Sequence, residues 1–172
     1  RMAAYRFSGY WKDVGTLESL WDANMDMLSP ESGLDLLDES WPIYARSVNA
    51  PPAFLGARSR VCHSAFNRGS NIEGVVENSV LSPQVSIGEG ARVSYSVLLP
   101  GAVVEPGAVV EYAILGENCR IGRNCRVGGT PENTAPAPWG LTVLAPGCVL
   151  EEGQTVAPGI MLDRDGKEVS RK

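Results

Sequence analysis

Four cysteines are the side chains in this 172-residue sequence best suited to metal or redox chemistry: Cys62, Cys119, Cys125 and Cys148. A structural zinc site usually takes paired cysteines in Cys-x2-Cys spacing, and no pair here has that spacing. Free cysteine also packs well as a small apolar residue. The spacing therefore argues against a zinc site, and unpaired thiols suit a reducing cytoplasm.

Two other groups of residues could carry chemistry. His63 is the single histidine, and a histidine can act as a general base near neutral pH. Arg120, Arg123 and Arg126 lie close together in the chain and could bind an anion or a partner subunit. Because outward-facing charges are usually solvated, a plain solvated surface is the alternative for these arginines.

The composition excludes several classes of protein. Asp and Glu (20) outnumber Lys and Arg (15), which gives a formal net charge of -5, whereas nucleic-acid binding depends on clustered basic residues. No apolar run approaches the roughly 20 residues that cross a bilayer, and the N-terminal residues lack the basic-then-apolar order of a signal peptide. We therefore expect a cytoplasmic protein with no nucleic-acid or membrane partner.

A repeat of 17 residues runs from residue 64 to residue 131. It consists of hexapeptides in which three aliphatic positions recur. These positions are occupied by Leu81, Leu98 and Leu115, by Ile87, Val104 and Ile121, and by Val76, Val93, Val110 and Val127. The chain also contains 19 glycines and 12 prolines, which supply the many turns that such a repeat requires.

The repeat predicts a mainly β protein built as a three-sided solenoid, in which each hexapeptide forms one short strand and one corner. A second inward position must be small because three sheets converge in a narrow space. Those positions hold Val85, Ala102 and Cys119 in one line and Ala91, Ala108 and Cys125 in another. Cys119 and Cys125 are therefore assigned to the core, whereas the repeat assigns no role to Cys62. Hexapeptides of this form resemble the left-handed parallel β-helix family.

The repeat is interrupted once and then returns. Residues 130–140 contain three prolines and no aliphatic column, which predicts a loop. The pattern resumes with Leu144, Leu150 and Val156 at inward positions and Cys148 at a small one. Residues 163–172 lose the repeat and are expected to form a C-terminal tail.

The residues before the repeat predict a single helix at residues 16–29. Its apolar stripe consists of Leu17, Leu20, Trp21, Met25 and Leu28. Thr16 is a suitable N-cap, and Pro30 ends the pattern. Residues 30–60, rich in Pro, Ser and Ala, are expected to form a linker to the solenoid.

The segment that leads into this helix, Gly9-Tyr-Trp-Lys-Asp-Val-Gly-Thr16, resembles the closing segment of the catalytic domain of bacterial glucose-1-phosphate adenylyltransferases. Residues 78–81, 97–102 and 113–116 are similar to the β-helix that follows in that family. The resemblance implies that residues 1–29 end a Rossmann-like nucleotidyltransferase domain and that residues 61–162 form a left-handed β-helix. It also implies ATP and glucose 1-phosphate as substrates, and ADP-glucose for glycogen biosynthesis as a product.

The same resemblance implies a role for Asp13, which matches the family's second metal-binding aspartate. Carboxylates in that family hold Mg²⁺, which neutralises phosphate charge, so Asp13 is expected to be a catalytic metal ligand. The alternative is that Asp13 merely caps the turn into the helix at Thr16. The family's glycine-rich nucleotide loop has no counterpart in these residues, and we expect no catalysis by this chain alone. Arg120, Arg123 and Arg126 are candidates for an allosteric effector site or an interface.

Two other functions remain open. One is a non-catalytic regulatory subunit homologue, although the intact segment around Asp13 favours the catalytic form. The other is a hexapeptide-repeat acyltransferase, in which a histidine acts as general base between subunits. His63 lies at the irregular first coil with no carboxylate nearby in the sequence, which argues against that activity.

The sequence also predicts a homo-oligomer. A solenoid has open ends and exposed sheet faces, and the family resemblance points to a tetramer. If the chain is the C-terminal part of a longer enzyme, the helix at residues 16–29 is exposed. Apolar surface on Trp11, Leu20, Trp21 and Trp41 is then expected to seek a partner.

Overall fold

The computed structural model describes residues 1–36, 38–40, 42, 44, 48–130 and 140–170. Within these residues the chain forms one α-helix, followed by six coils of three short strands each. Each coil contributes one strand to each of three parallel sheets. The predicted parallel β-solenoid is therefore confirmed, whereas the left-handed sense of its coil stays a prediction.

The helix α1 spans Leu17–Asp26, and a single 3-10 turn spans Pro30–Ser32. The strands are numbered in chain order, three to a coil. They are β1 (Phe54–Leu55), β2 (Arg60–Cys62), β3 (Ala65–Phe66), β4 (Asn71–Ile72), β5 (Val75–Glu77), β6 (Val80–Leu81), β7 (Ser86–Ile87), β8 (Arg92–Ser94), β9 (Val97–Leu98), β10 (Val103–Val104), β11 (Val109–Glu111), β12 (Ala113–Leu115), β13 (Arg120–Ile121), β14 (Arg126–Gly128), β15 (Thr142–Leu144), β16 (Val149–Leu150), β17 (Thr155–Val156) and β18 (Met161–Leu162).

Equivalent strands of successive coils pair in parallel and form three faces of the solenoid. Face A contains β1, β4, β7, β10, β13 and β16. Face B contains β2, β5, β8, β11, β14 and β17, and face C contains β3, β6, β9, β12, β15 and β18. Since side chains alternate between the two sides of a strand, each face presents one set of residues to the core and another outward.

The core consists of the predicted aliphatic columns stacked coil on coil. Leu98 pairs in register with Leu81 on one side and with Leu115 on the other. The predicted inward residues of the 17-residue repeat are at most 1% exposed, and the three cysteines assigned to small positions are fully buried. The inward positions of Leu144, Leu150 and Val156 are confirmed as well.

Ile72 is among the inward residues that the sequence analysis missed. Ile72 pairs with Ile87, only 15 residues later, because the corner that follows Ile72 is shorter than its equivalents. Gly74 makes this short corner possible. A Cβ at Gly74 would lie 2.4 Å from the carbonyl oxygen of Ala91 and 2.7 Å from that of Gly88. The shortened corner shifted Ile72 out of the 17-residue register and hid it from the pattern.

The corner between faces B and C has its own repeat. In the first four coils a non-glycine residue in the left-handed region makes the turn, and these residues are His63, Asn78, Tyr95 and Tyr112, with φ between 45° and 47°. A buried serine follows two of them. The Ser79 hydroxyl donates to the Glu77 carbonyl at 2.8 Å and accepts the Ser96 N–H at 3.1 Å. The serine thus closes its own turn and joins it to the next coil, which stabilises a backbone region unfavourable for most residues.

Helix α1 begins as predicted and ends earlier. The Thr16 hydroxyl accepts the Ser19 N–H at 3.1 Å, and the Ser19 hydroxyl accepts the Thr16 N–H at 3.0 Å, which together form a capping box. The predicted end at residue 29 is wrong by three residues, because the N–H groups of Leu28 and Ser29 bond three residues back and tighten the chain out of the α-helix. No helix in the described residues is long and apolar enough to span a bilayer.

The solenoid begins inside the segment assigned to the linker. Phe54 N–H donates to the Ser70 carbonyl and Gly56 N–H donates to the Ile72 carbonyl, both at 2.8 Å, so β1 belongs to face A. Phe54 and Leu55 are exposed at the open end, and no buried column marked this strand in the sequence. The predicted loop at residues 130–140 lies almost wholly outside the described residues. In the tail, the Asp163 carboxylate accepts the N–H groups of Asp165 and Lys167, each at 2.9 Å, and closes a turn.

Candidate functional site

The outward side of face C is apolar along its whole length. Its outward residues are Ala65, Val80, Val97, Ile114, Val143 and Met161, which pair in register. Helix α1 covers the middle of this face. Trp21 of α1 is 8% exposed and packs in one cluster with Ile114 and Val97, while Leu17 and Leu20 pack beside it.

Two tyrosines anchor the helix at the corner between faces B and C. The Trp21 indole N–H donates to the Tyr95 carbonyl oxygen at 2.8 Å, and the Trp21 ring stacks on Tyr112 with centroids 6.2 Å apart. Tyr112 stacks in turn on Tyr95 at 4.7 Å with 9° between the ring planes. Burial, followed by the charges of Tyr95 and Glu111, raises the pKa of Tyr112 above its ordinary value. The expectation that Trp21 is free to bind a partner is therefore wrong, because face C of the same chain already buries it.

The segment that resembles a catalytic-domain end is fastened to α1 by one carboxylate. One oxygen of Asp26, Oδ2, accepts two hydrogen bonds, from the Lys12 ammonium at 2.7 Å and from the Tyr10 hydroxyl at 2.9 Å. The hydrogen bond from Lys12 is the main reason that the pKa of Asp26 is lowered. Residues 10–12 are thereby held against the C-terminal half of the helix. Trp11, between them, projects into solvent and is 76% exposed.

Asp13 lies in the turn between this fastening and the helix cap. Its side chain is exposed, and Oδ1 accepts the Gly15 N–H at 3.1 Å. The turn role that the sequence analysis gave as the alternative is thus observed. Carboxylate oxygens are ligands that Mg²⁺ prefers, so the exposed Asp13 carboxylate fits the role of a single Mg²⁺ ligand. The described residues contain no group of three or more His, Cys, Asp or Glu that could hold a metal ion by itself.

The three candidate arginines lie around one corner of the fifth coil. Arg120 is on β13 of face A, Arg126 is on β14 of face B, and Arg123 is in the turn between them. All three are exposed, and Arg120 forms a salt bridge with Glu105. The side chains point outward from different faces, so they surround a corner and do not line one pocket.

His63 and the buried cysteines lie in different parts of the solenoid, one at an exposed corner and the others in the core. The His63 ring contacts the Asn78 side-chain oxygen at 2.7 Å, on the exposed corner of the first coil. Burial raises the pKa of the Cys119 thiol to about 11, so it stays protonated at neutral pH. The thiols of Cys119 and Cys125 donate to backbone carbonyls of Ala145 and Glu151 at 3.1 and 2.9 Å. Such protonated thiols pack as small core groups, as the repeat predicts.

An apolar groove of about 370 Å³ runs beside α1 on face C. Leu17 and Leu20 of the helix form one side, and Met161 and Val169 near the C-terminus form the other. A nucleotide or sugar phosphate requires charged and hydrogen-bonding partners, which this lining does not offer. The groove is therefore unsuited to those ligands.

A family model described as the GMPPB C-terminal domain matches residues 55–172. This chain belongs to the GMPPB C-terminal domain family. The match begins at Leu55, the second residue of β1, and covers the rest of the solenoid described above. Curated relatives are glucose-1-phosphate adenylyltransferases, and the matching part is their C-terminal domain.

Two of these relatives come from Bacillus. The enzyme of Bacillus cereus (strain Q1) is 48% identical over 104 residues, and that of Bacillus mycoides (strain KBAB4) is 47% identical over 104 residues. Each alignment covers 60% of this chain and 28% of the relative. The alignment therefore spans little more than a quarter of the length of each of these two enzymes.

Solved structures of the same shape include the acetyltransferase domain of PglB from Neisseria gonorrhoeae FA1090. It superposes with a TM-score of 0.54 at 21% identity and covers 70% of this chain and 58% of that one. Its complex with acetyl coenzyme A gives a TM-score of 0.53 at 20% identity. At this identity the likeness shows that the two chains share a fold. It shows nothing about the activity of the present chain.

Sequence reasoning missed the part that Tyr95 and Tyr112 play. Both occur at the same position of the 17-residue repeat, one residue past an outward strand position, which was a signal that they stack. The apolar character of every outward position on face C was a second signal that some other element covers that face.

Proposed function

We propose that this chain is the solenoid part of a glucose-1-phosphate adenylyltransferase, which joins ATP and glucose 1-phosphate to give ADP-glucose and pyrophosphate for glycogen synthesis. The observation that carries the proposal is the 48% identity over 104 residues with an enzyme of that name. The segment Gly9–Thr16, which sequence reasoning assigns to the end of a nucleotidyltransferase domain, is consistent with it.

In this proposal the solenoid fixes the position of the segment that carries Asp13. The contacts run from face C through Trp21 to α1, and from α1 through Asp26 to Lys12 and Tyr10. The Gly15 N–H then orients the exposed Asp13 carboxylate through Oδ1. When bound, Mg²⁺ supplies neutralisation of the phosphate charge in such a reaction. Asp13 is the residue of this chain that would hold it.

Three further expectations belong to the same proposal. The protein self-associates, as the exposed sheet faces of a solenoid allow. An anionic effector binds at the corner of Arg120, Arg123 and Arg126, where Arg120 also forms a salt bridge with Glu105. The compartment is the cytoplasm, which suits the free thiols of the described core.

The experiment for the catalytic proposal is the Asp13→Asn substitution in the full-length parent enzyme. Asparagine keeps an Oδ1 that accepts the Gly15 N–H, so the turn is preserved while the charge is removed. We expect turnover to fall by at least about a hundredfold, measured as pyrophosphate release at saturating Mg²⁺. The 172-residue chain alone is expected to show no activity.

Asp165→Asn is the matched control, because Asp165 is an equally exposed aspartate in the C-terminal turn. Near-normal turnover of the Asp13→Asn enzyme contradicts the metal role. A wild-type parent that releases no pyrophosphate contradicts the catalytic function and leaves the regulatory subunit homologue as the function of this protein.

A further inference from the structure

Face B carries an ordered pattern of charge on its outward side. The first outward residue of its strands alternates between arginine and a small apolar or polar residue along the stack. In order these residues are Arg60, Val75, Arg92, Val109, Arg126 and Thr155. The arginines, here named the Arg column, occupy the first, third and fifth coils and are all exposed.

A second column on the same face carries the opposite charge. Two residues further along each strand lie Cys62, Glu77, Ser94, Glu111 and Gly128, which also pair in register. The acids, here named the Glu column, occupy the second and fourth coils. Coils with an outward cation therefore alternate with coils that have an outward anion. The cations lie along one side of face B and the anions along the other.

Contacts within the chain leave most of this charge unpaired. Arg60 and Glu77 approach to 3.7 Å, with Arg60 73% exposed, and surface pairs of this kind contribute little. Arg92 and Arg126 form no salt bridge with any described residue, and neither does Glu111. Face B thus holds two guanidinium groups and one carboxylate that a partner surface could pair.

We propose that face B binds face B of a second copy of this chain about a two-fold axis parallel to the solenoid axis. Such a rotation keeps each coil at its own height and exchanges the two sides of the face. The Arg column of one copy then lies opposite the Glu column of the other. Arg92 of each copy sits midway in height between Glu77 and Glu111 of its mate, about 4.8 Å from each coil, which is within reach of a long side chain.

The charge pattern also selects the orientation of the axis. A two-fold axis along the strands would leave the two sides of the face unexchanged and would set the Arg columns against each other. In the centred arrangement of the six coils, the first, third and fifth coils of one copy would then meet the sixth, fourth and second of the other. The arginines of the two copies would alternate within one column, about 4.8 Å apart in height. Like charges placed opposite one another disfavour that arrangement.

Face B is small for a protein interface. Six strands spaced about 4.8 Å apart, with their flanking corners, cover on the order of 400 Å² in each copy, about half of what a standard stable interface buries. We therefore expect a dimer that dissociates readily. This inference rests on the proposed self-association and specifies its surface.

Charge reversal on the whole 172-residue chain tests the pairing. An acidic-face variant carries Arg60→Glu, Arg92→Glu and Arg126→Glu, and a basic-face variant carries Glu77→Lys and Glu111→Lys. Each variant alone places like charges opposite one another, and its dimer dissociation constant is expected to rise at least about tenfold in sedimentation equilibrium. An equimolar mixture places opposite charges on facing columns and is expected to form a heterodimer at least as tightly as wild type.

Arg120→Glu with Arg123→Glu is the matched control, since both residues belong to the same coil as Arg126 but lie off face B. Circular dichroism establishes that each variant is folded. A mixture that does not associate, or wild-type association unaffected by the reversals, overturns the face B contact while leaving self-association in place. A wild-type chain that is monomeric at every concentration overturns both. The pyrophosphate assay is independent of either result.

Cys62 provides the test of the axis, because it is exposed on the first coil of face B whereas the other three cysteines are buried. With the axis parallel to the solenoid, the two copies of Cys62 lie at the same height, and a short bismaleimide is expected to link them. With the axis along the strands, the two copies of Cys62 lie at opposite ends of the contact, beyond the reach of the reagent. Cys62→Ser is the control, and a charge-dependent dimer that the reagent does not link overturns the parallel axis.

Discussion

Faces B and C are made by the same coils and differ only on their outward sides. Inward, both faces contribute aliphatic residues that are buried in one core. Outward, face C presents Ile114, which is 3% exposed beneath α1, whereas face B presents Val109 between Arg92 and Arg126. One face is covered by the chain itself, and the other carries charge toward solvent.

This difference shows that separate physical requirements determine the inward and the outward residues of this solenoid. Inward residues must fill a narrow prism, so every coil repeats them with little change. Outward residues make no contribution to that packing and are free to match whatever lies outside. The outward side of each face therefore reports its surroundings: a helix for face C, and water or a charged partner for face B.

The largest effect that tests this contrast comes from placing the same charge on each face. Ile114→Asp would bury a carboxylate beneath Trp21, where no cation of the described residues pairs with it, and should reduce the free energy of unfolding by at least about 3 kcal/mol. Val109→Asp would lie between two arginines and should change it by no more than about 1 kcal/mol. Urea unfolding measures both, and equal losses would show that face B is as buried as face C.

An intermediate effect is expected from removing the side chain that holds the cover of face C. Trp21→Ala deletes the stacking on Tyr112 and the hydrogen bond to Tyr95, with an expected cost of about 3 kcal/mol. Backbone amides of α1 should then exchange hydrogen faster than those of the solenoid strands. Trp11→Ala is the control, because Trp11 is 76% exposed and should have little effect. Unchanged exchange in α1 would mean that other contacts hold the helix.

The smallest effect concerns the hydrogen bond between Lys12 and Asp26, which joins residues 10–12 to helix α1. Because the hydrogen bond from Lys12 lowers the pKa of Asp26 in the folded chain, the bond stabilises the fold above the unfolded pKa of roughly 4. That stability is lost as the pH falls through the lower folded pKa. Asp26→Asn should therefore cost about 0.5 kcal/mol at pH 7 and almost nothing near pH 2, measured by urea unfolding. Asp165→Asn is the control, and a loss independent of pH would contradict the ionic origin.

Much of the fold could be predicted because the repeat exposes its own geometry. Val76, Val93, Val110 and Val127 recur at a constant spacing, and only a stack of equal coils buries all four. The N-cap Thr16 was equally readable, since a capping hydroxyl acts on backbone groups three residues away. By contrast, Ile72 and β1 did not show in the pattern, because Ile72 precedes a shortened corner and β1 lies at an open end where its residues are exposed.

The candidate site was less accessible to sequence reasoning. The resemblance of residues 9–16 singled out Asp13, and the contact of its carboxylate with the Gly15 N–H agrees with the turn role that was held beside the metal role. The arginines were placed at outward or corner positions, yet the repeat could not give their partners. The salt bridge of Arg120 with Glu105 depends on side-chain reach across neighbouring coils.

The sequence by itself determined the coils, their inward columns and the helix, because each depends on residues at fixed and short separations. Only the tertiary structure decided that α1 lies on face C. Trp21 and Tyr95 are 74 residues apart, and the hydrogen bond between them exists because the solenoid brings Tyr95 to the edge of an apolar face. An exposed apolar helix and an exposed apolar face can each be read from sequence. The packing of the helix on that face requires a surface that exists only once the coils have stacked.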